Sequence, residues 1–330
     1  MTRRRPAWSS ISVLLCVGWI TTVAADRVSA QAVRFAPVGA IPGPADLVKV
    51  HGGYAYIAAG KTISVVDISN PAGPTQLGAY TFSDQIRGFR VVASLVYVAA
   101  DVLGLAILDV SNARAPVLRG LLKTPGQAKN VAVSGTTALV ADMLTGLDIV
   151  DVSNPTKPLR IESVFLEGYP TDVVASGSLA YAADRPTGLY VLDLARPRPL
   201  EPTSTLQSTI ASNASAQIEV LQVSAQGPRL AILVASGALQ PFDVSNAVAP
   251  VKLPPYRTPG GARRVSLTGS LAYVADGREG LQVVDLSGPS KPRIVGSYKT
   301  AGPARDVALS DSLVFLVVGN DEVLILRETP

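Results

Sequence analysis

Short apolar runs rich in Val, Leu, Ile and Tyr alternate with clusters of Gly, Ser, Asn and Pro along nearly the whole chain. Leu271-Ala272-Tyr273-Val274-Ala275-Asp276 and Leu179-Ala180-Tyr181-Ala182-Ala183-Asp184 are two such runs. Their length, their composition and their turn-forming borders predict strands. No apolar stripe recurs at the spacing of a helix face. In one clear stretch four strands follow one another, at Lys129–Val133, Ala138–Asp142, Leu147–Val152 and Leu159–Phe165. They are named A, B, C and D.

The whole pattern repeats. Val66-Asp67-Ile68-Ser69-Asn70-Pro71 recurs as Leu108-Asp109-Val110-Ser111-Asn112 and Val150-Asp151-Val152-Ser153-Asn154-Pro155. Leu192-Asp193-Leu194, Phe242-Asp243-Val244-Ser245-Asn246 and Val284-Asp285-Leu286-Ser287 follow. The aspartates step by 42, 42, 42, 50 and 42, and one further step reaches Arg327, after Val323-Leu324-Ile325-Leu326. A proline sits seven residues beyond the Asp at Pro74, Pro116, Pro158, Pro250 and Pro292. Gly-Leu opens strand C at Gly104, Gly146, Gly188 and Gly280. Seven units of this size, each with four strands, predict an all-β fold: a seven-bladed β-propeller. Val33–Ile41 matches a D strand such as Pro292–Tyr298, while the chain ends on a C strand. The first segment should therefore complete the last blade, with Phe35 beside Val323–Leu326, so that no open edge remains.

These units resemble the bacterial LVIVD repeats, through the Leu/Val-x-Val-Asp-Val-Ser-Asn-Pro motif just quoted. The resemblance covers about residues 33–330. It implies a secreted or cell-surface β-propeller and says little about activity. The Gly-His and Trp-Asp marks of WD40 repeats are missing. The fifth unit departs most, with eight extra residues and Gly237-Ala238 in place of Gly-Leu. Its extra length is expected in a polar loop over Arg196–Pro199 and Thr203–Ala216, where Asn213-Ala214-Ser215 forms a glycosylation sequon.

Composition narrows the class. Hydrophobic residues make up 48% of the 330, too many for a disordered chain, and 16% charged is too few for a coiled coil. Arg3, Arg4 and Arg5, then uncharged Ile11–Ala25, then Ala30-Gln31-Ala32 form a secretory leader pattern. Residues 1–32 are read as a cleaved signal peptide and 33–330 as the propeller. Ala24-Ala25 offers a second cut, and an uncleaved anchor is the rival, although the apolar run falls short of a span. The leader carries four Arg against Asp26, so removing it takes the net charge from +4 to about +1. No basic field then remains for nucleic acid. The one cysteine, Cys16, leaves with the leader, so no disulfide framework is expected. The expected location is periplasm, cell surface or medium, with no membrane span after cleavage and a monomeric state.

Candidate chemistry is sparse. Asp67, Asp109, Asp151, Asp193, Asp243 and Asp285 are read as structural turn residues, each bonding the amide two residues on. Tyr97, Tyr181 and Tyr273 are read as core. His51 is the only histidine, which argues against a zinc site and a Ser-His-Asp triad. No cofactor or metal is expected. The propeller's channel mouth is the candidate ligand site, by analogy of fold. Asp46, Arg87, Lys129, Asp172, Arg264, Arg305 and Asp306 should line it from the starts of the A strands. Asp101, Asp142, Asp184 and Asp276 should add charge from the B–C loops, with these side chains in solvent. The leading expectation is a non-enzymatic binding scaffold for an extracellular or envelope protein or polysaccharide. One alternative is a hydrolase or lyase using carboxylates at that mouth. Another is a metal scaffold built on Asp46, Asp172 and Asp306.

Overall fold

The computed structural model describes residues 32–185, 188–196, 199–206, 220–246, 249–287 and 292–329. The leader, the sequon and most of the Thr203–Ala216 loop lie outside the described residues. What is described is all strand and turn, in seven antiparallel sheets arranged as blades of a propeller. In six blades four strands run A-B-C-D outward from the channel. The A strands that line the channel are Leu47–His51, Gly88–Val92, Ala128–Ser134, Tyr169–Ser176, Val220–Gln226, Arg264–Thr268 and Ala304–Ser310. Successive strands reverse direction, so B–C loops and D–A connections share one face of the ring. The A–B and C–D turns occupy the other face.

The strands form where the sequence places them. The third blade has strands at Ala128–Ser134, Thr137–Asp142, Gly146–Asp151 and Leu159–Val164. The last blade takes Ala304–Ser310, Leu313–Val318 and Glu322–Thr329 from the chain's end and Arg34–Pro42 from its start. The closing strand pairs Pro37 with Leu326 and Ile41 with Val323, while Phe35 lies opposite Glu328, two residues beyond the apolar stretch expected. Phe35 packs instead in the cluster between the sixth and seventh blades, where Val33 also bridges Gly296.

The core is divided by joint. Seven apolar clusters each bridge two neighbouring blades, and one closes the ring between the seventh and first. Strands B and C are buried on both faces, which explains their unbroken apolar runs. Tyr97, Tyr181 and Tyr273 are buried here, and the Tyr273 hydroxyl donates to Glu328. Blade-on-blade contact makes stability a sum of nearest-neighbour joints.

Two recurring devices set the spacing between blades. Asp67, Asp109, Asp151, Asp193, Asp243 and Asp285 each accept a hydrogen bond from the amide two residues on, at 2.8–3.0 Å. Asn70, Asn112 and Asn154 do the same for the next turn. That turn then meets a glycine in the preceding D strand. A Cβ on Gly120 would lie 2.1 Å from the Pro155 carbonyl oxygen, and one on Gly78 would lie 2.6 Å from that of Ala113. Glycine is therefore needed at both positions for close approach.

The fifth blade differs from expectation in where its irregularity lies. Its own D edge is broken into Val251–Lys252 and Tyr256–Arg257, both paired to Ala238–Asp243, giving a five-stranded sheet. Leu253-Pro254-Pro255 separates the halves, because consecutive prolines cannot donate to the ladder. The extra length falls earlier, after Ser204–Leu206, which is the short D strand of the fourth blade rather than loop.

Candidate binding site at the channel mouth

One register position runs around the channel. Leu47, Gly88, Asn130, Asp172, Gln222, Arg264 and Asp306 occupy the same place in the seven A strands. Side chains there reach the neighbouring blade. Asp306 Oδ2 accepts from the Val48 amide at 2.9 Å, and the Lys49 ammonium lies 3.6 Å away. Asp172 accepts from Val173 N and Val223 N, both at 2.8 Å, and from the Asn130 side-chain amide. Gln222 accepts from Val265 N at 2.7 Å and donates to Val265 O at 2.9 Å. Gly88 leaves room for this ring, since a Cβ there would lie 2.3 Å from Asn130 Oδ1.

Asp172 and Asp306 are therefore joints, only 2% exposed, not solvated loop tips. Burial pushes the Asp172 carboxyl up, against the opposing pull of Arg264 and its amide donors. The B–C loop carboxylates are buried too. Asp142 accepts from Gly126, Leu144 and Thr145 amides. Asp276 accepts from Gly260 N and the Thr258 hydroxyl, and burial raises its carboxyl as well. Asp184 is fully buried. Asp101, at φ 47°, accepts from the Arg87 guanidinium, with Lys129 at 3.8 Å. Burial lowers the Lys129 ammonium, only partly countered by Asp101. These carboxylates hold loops and joints together. The expectation of a solvated ring fails because inward-pointing loop amides at Asp142 and Asp276, and the Arg87 guanidinium at Asp101, need acceptors.

What remains open is a cleft of about 940 Å³ over the first, second, sixth and seventh blades. Asp46, Arg87, Arg264 and Arg305 line it, as expected, and Arg263 joins them. Lys129, Asp172 and Asp306 do not. The space in the channel below is smaller, about 380 Å³, and Arg264 borders both spaces. Arg305 stands 3.9 Å from Asp46 and also donates to the Asn320 side chain. The Arg263 side chain is exposed and has no ion pair or hydrogen bond among the described residues, whereas Arg264 acts on the buried Asp172 carboxyl. His51 is exposed at the opposite mouth. Asp46 lies in the cleft and Asp172 and Asp306 in the channel wall, and no cluster of three metal-ligating side chains occurs among the described residues. Among those residues no helix is long and apolar enough to cross a membrane.

A family model described as the LVIVD repeat matches residues 42–81, 92–124, 125–165, 167–223 and 259–300, well over half of the chain. No curated protein matches the sequence. Similar solved structures are propellers. The β-propeller domain of Cps50 (Swd1) from Myceliophteria thermophila has TM-score 0.71 at 13% identity, covering 89% of this chain and all of that one. The Neurospora crassa Pan2 WD40 domain has TM-score 0.70 at 13% identity, covering 90% and 96%. Raptor from Chaetomium thermophilum has TM-score 0.73 at 12% identity, covering 91% of this chain and 30% of that one. At these identities the likeness is one of fold.

Proposed function

The chain belongs to the LVIVD-repeat family, and we propose that it is a secreted or cell-surface binding scaffold without catalytic activity. Its channel-mouth face takes an extracellular or envelope protein or polysaccharide. The observation that carries this reading is the division of labour among the mouth's charges. The aspartates are spent on backbone amides and on Arg87, whereas Arg263 and Arg264 face an open cleft, Arg263 with no acidic partner among the described residues and Arg264 acting on the buried Asp172 carboxyl. Rigid blades displaying adaptable loops are suited to recognition. The leader pattern supports export, and the lack of cysteine beyond it is compatible with an oxidising compartment.

A hydrolase or lyase at this mouth would need accessible carboxylates, one of them free to take or give a proton. Asp142, Asp172, Asp276 and Asp306 are all buried and hydrogen-bonded, which weighs against that alternative. The test is affinity capture with cross-linking from the producing cells, comparing the native protein with Arg87→Glu/Arg305→Glu. Loss of a captured partner in the variant is the expected result. Equal capture by both proteins would place binding elsewhere.

A further inference from the structure

We infer that the mouth face recognises an acidic segment of a protein partner, with arginines taking its carboxylates and an apolar patch across the mouth taking its hydrophobic side chains. This rests on the mouth being the binding face.

Four arginines line the cleft against two aspartates, Asp46 and Asp321. Arg87 is engaged by Asp101 and Arg305 by Asp46 and Asn320. Arg264 opens a rigid strand and acts on the buried Asp172, which leaves its neighbour Arg263 as the cleft arginine without an acid among the described residues. The Arg263 guanidinium presents a planar fork matched to a carboxylate, and Arg264 beside it in sequence adds positive charge. Among the described residues no aromatic ring lines the cleft, so these residues offer no stacking platform for a sugar or a base.

Across the mouth, the same face exposes large apolar side chains. Leu144 in the B–C loop of the third blade is 69% exposed, Phe165 in the following D–A connection 76%, and Tyr169 at its end 58%. A Cβ on Gly126, in the preceding D–A connection, would lie 2.6 Å from Leu144 Cβ, and one on Gly146 would lie 3.3 Å from the Phe165 backbone. Leu144 and Phe165 therefore crown one blade. Exposed aromatic and aliphatic groups on the same face as a charged cleft match the anchor-and-rim anatomy of protein interfaces. An acidic polysaccharide would satisfy the arginines and leave this patch in water.

The test is fluorescence anisotropy on the purified protein with three labelled probes. They are a Glu-rich peptide carrying Leu and Phe, the same peptide with Lys for Glu, and polygalacturonate. The expected result is binding of the Glu peptide only, weakening with salt. Arg263→Gln/Arg264→Gln should weaken it about tenfold or more, as should Leu144→Ser/Phe165→Ser. Arg293→Gln, on an outer D strand, should leave it unchanged, and melting curves should show every variant folded. Polygalacturonate binding that ignores the Leu144/Phe165 variant would overturn the protein partner while keeping the mouth as the binding face. Glu-peptide binding unaffected by the arginine variant would overturn both. If no probe binds, the acidic-segment proposal falls, and the capture comparison decides the mouth separately.

Discussion

Asp172→Ala is the sharpest perturbation of the ring that joins the blades. The native carboxylate takes hydrogen bonds from Val173 N and Val223 N at 2.8 Å and from the Asn130 amide. Val223 belongs to the next blade, so removal strikes the joint between the fourth and fifth blades. Each buried amide left without an acceptor costs about 1–3 kcal/mol. Part is regained, because a buried charge is no longer carried. The net loss should be about 2–4 kcal/mol. Unfolding entropy near 2.1 cal/mol/K per residue over a propeller of this size turns that into a melting shift of about 3–6 °C. Asp172→Asn should lose less, since its carbonyl oxygen still accepts from one amide while its NH₂ faces a second donor. The linkage has a definite sign. Burial raises the folded-state pKa, so the native protein loses stability from this group as pH rises from the ordinary carboxylate value through the raised one. Asp172→Asn should abolish that part of the slope. The assay is calorimetric melting across pH 3.5–7, with amide exchange on strand Val220–Gln226. An Ala variant that melts within ~0.5 °C of the native protein, with unchanged exchange there, would refute the joint.

Three further outcomes follow from the same geometry. Deleting residues 33–41 removes the closing strand and the buried Ile41, and bares the edge that carries Val323 and Leu326. Melting should fall on the order of 10 °C, with aggregation on heating read by light scattering. Gly120→Ala forces a Cβ into the Pro155 carbonyl of the next blade, and urea unfolding should show a loss of about 1–3 kcal/mol. In Asp109, hydrogen bonds from Ser111 hold the carboxyl below its ordinary value. Its contribution is present above the ordinary carboxylate pKa and fades as pH falls through the depressed one. Asp109→Ala should cost about 1 kcal/mol at neutral pH and less in acid, measured by urea titration at both.

Much of the fold was legible because the repeat makes each signal several times, the turn Asp six times and the following Pro five. The Asp-x-Ser-Asn turns set strand C's end, and the unpaired Val33–Ile41 segment required a partner that only the last blade could supply. The mouth was half legible. Asp46, Arg87, Arg264 and Arg305 do share a cleft. Asp172 and Asp306 do not enter it, because an amide of the next blade faces each one, a contact between residues 51 and 258 positions apart in the chain. A signal was present in the register: Asn130, Asp172, Gln222 and Asp306 are all amide-binding side chains at one A-strand position. Gly78 and Gly120, 42 residues apart, likewise announce a recurrent close approach. Leu144 and Phe165 carried no repeat signal, since they belong to one blade alone.

Site-specific photo-cross-linking in the producing cells tests the central claim most directly. A benzophenone side chain would replace Asn320 at the rim of the arginine cleft, and, in separate proteins, Ser134 at the opposite mouth and Arg293 on an outer strand. The account predicts a discrete adduct from position 320 and none from the other two. Adducts from position 134 or 293 with none from 320 would contradict it.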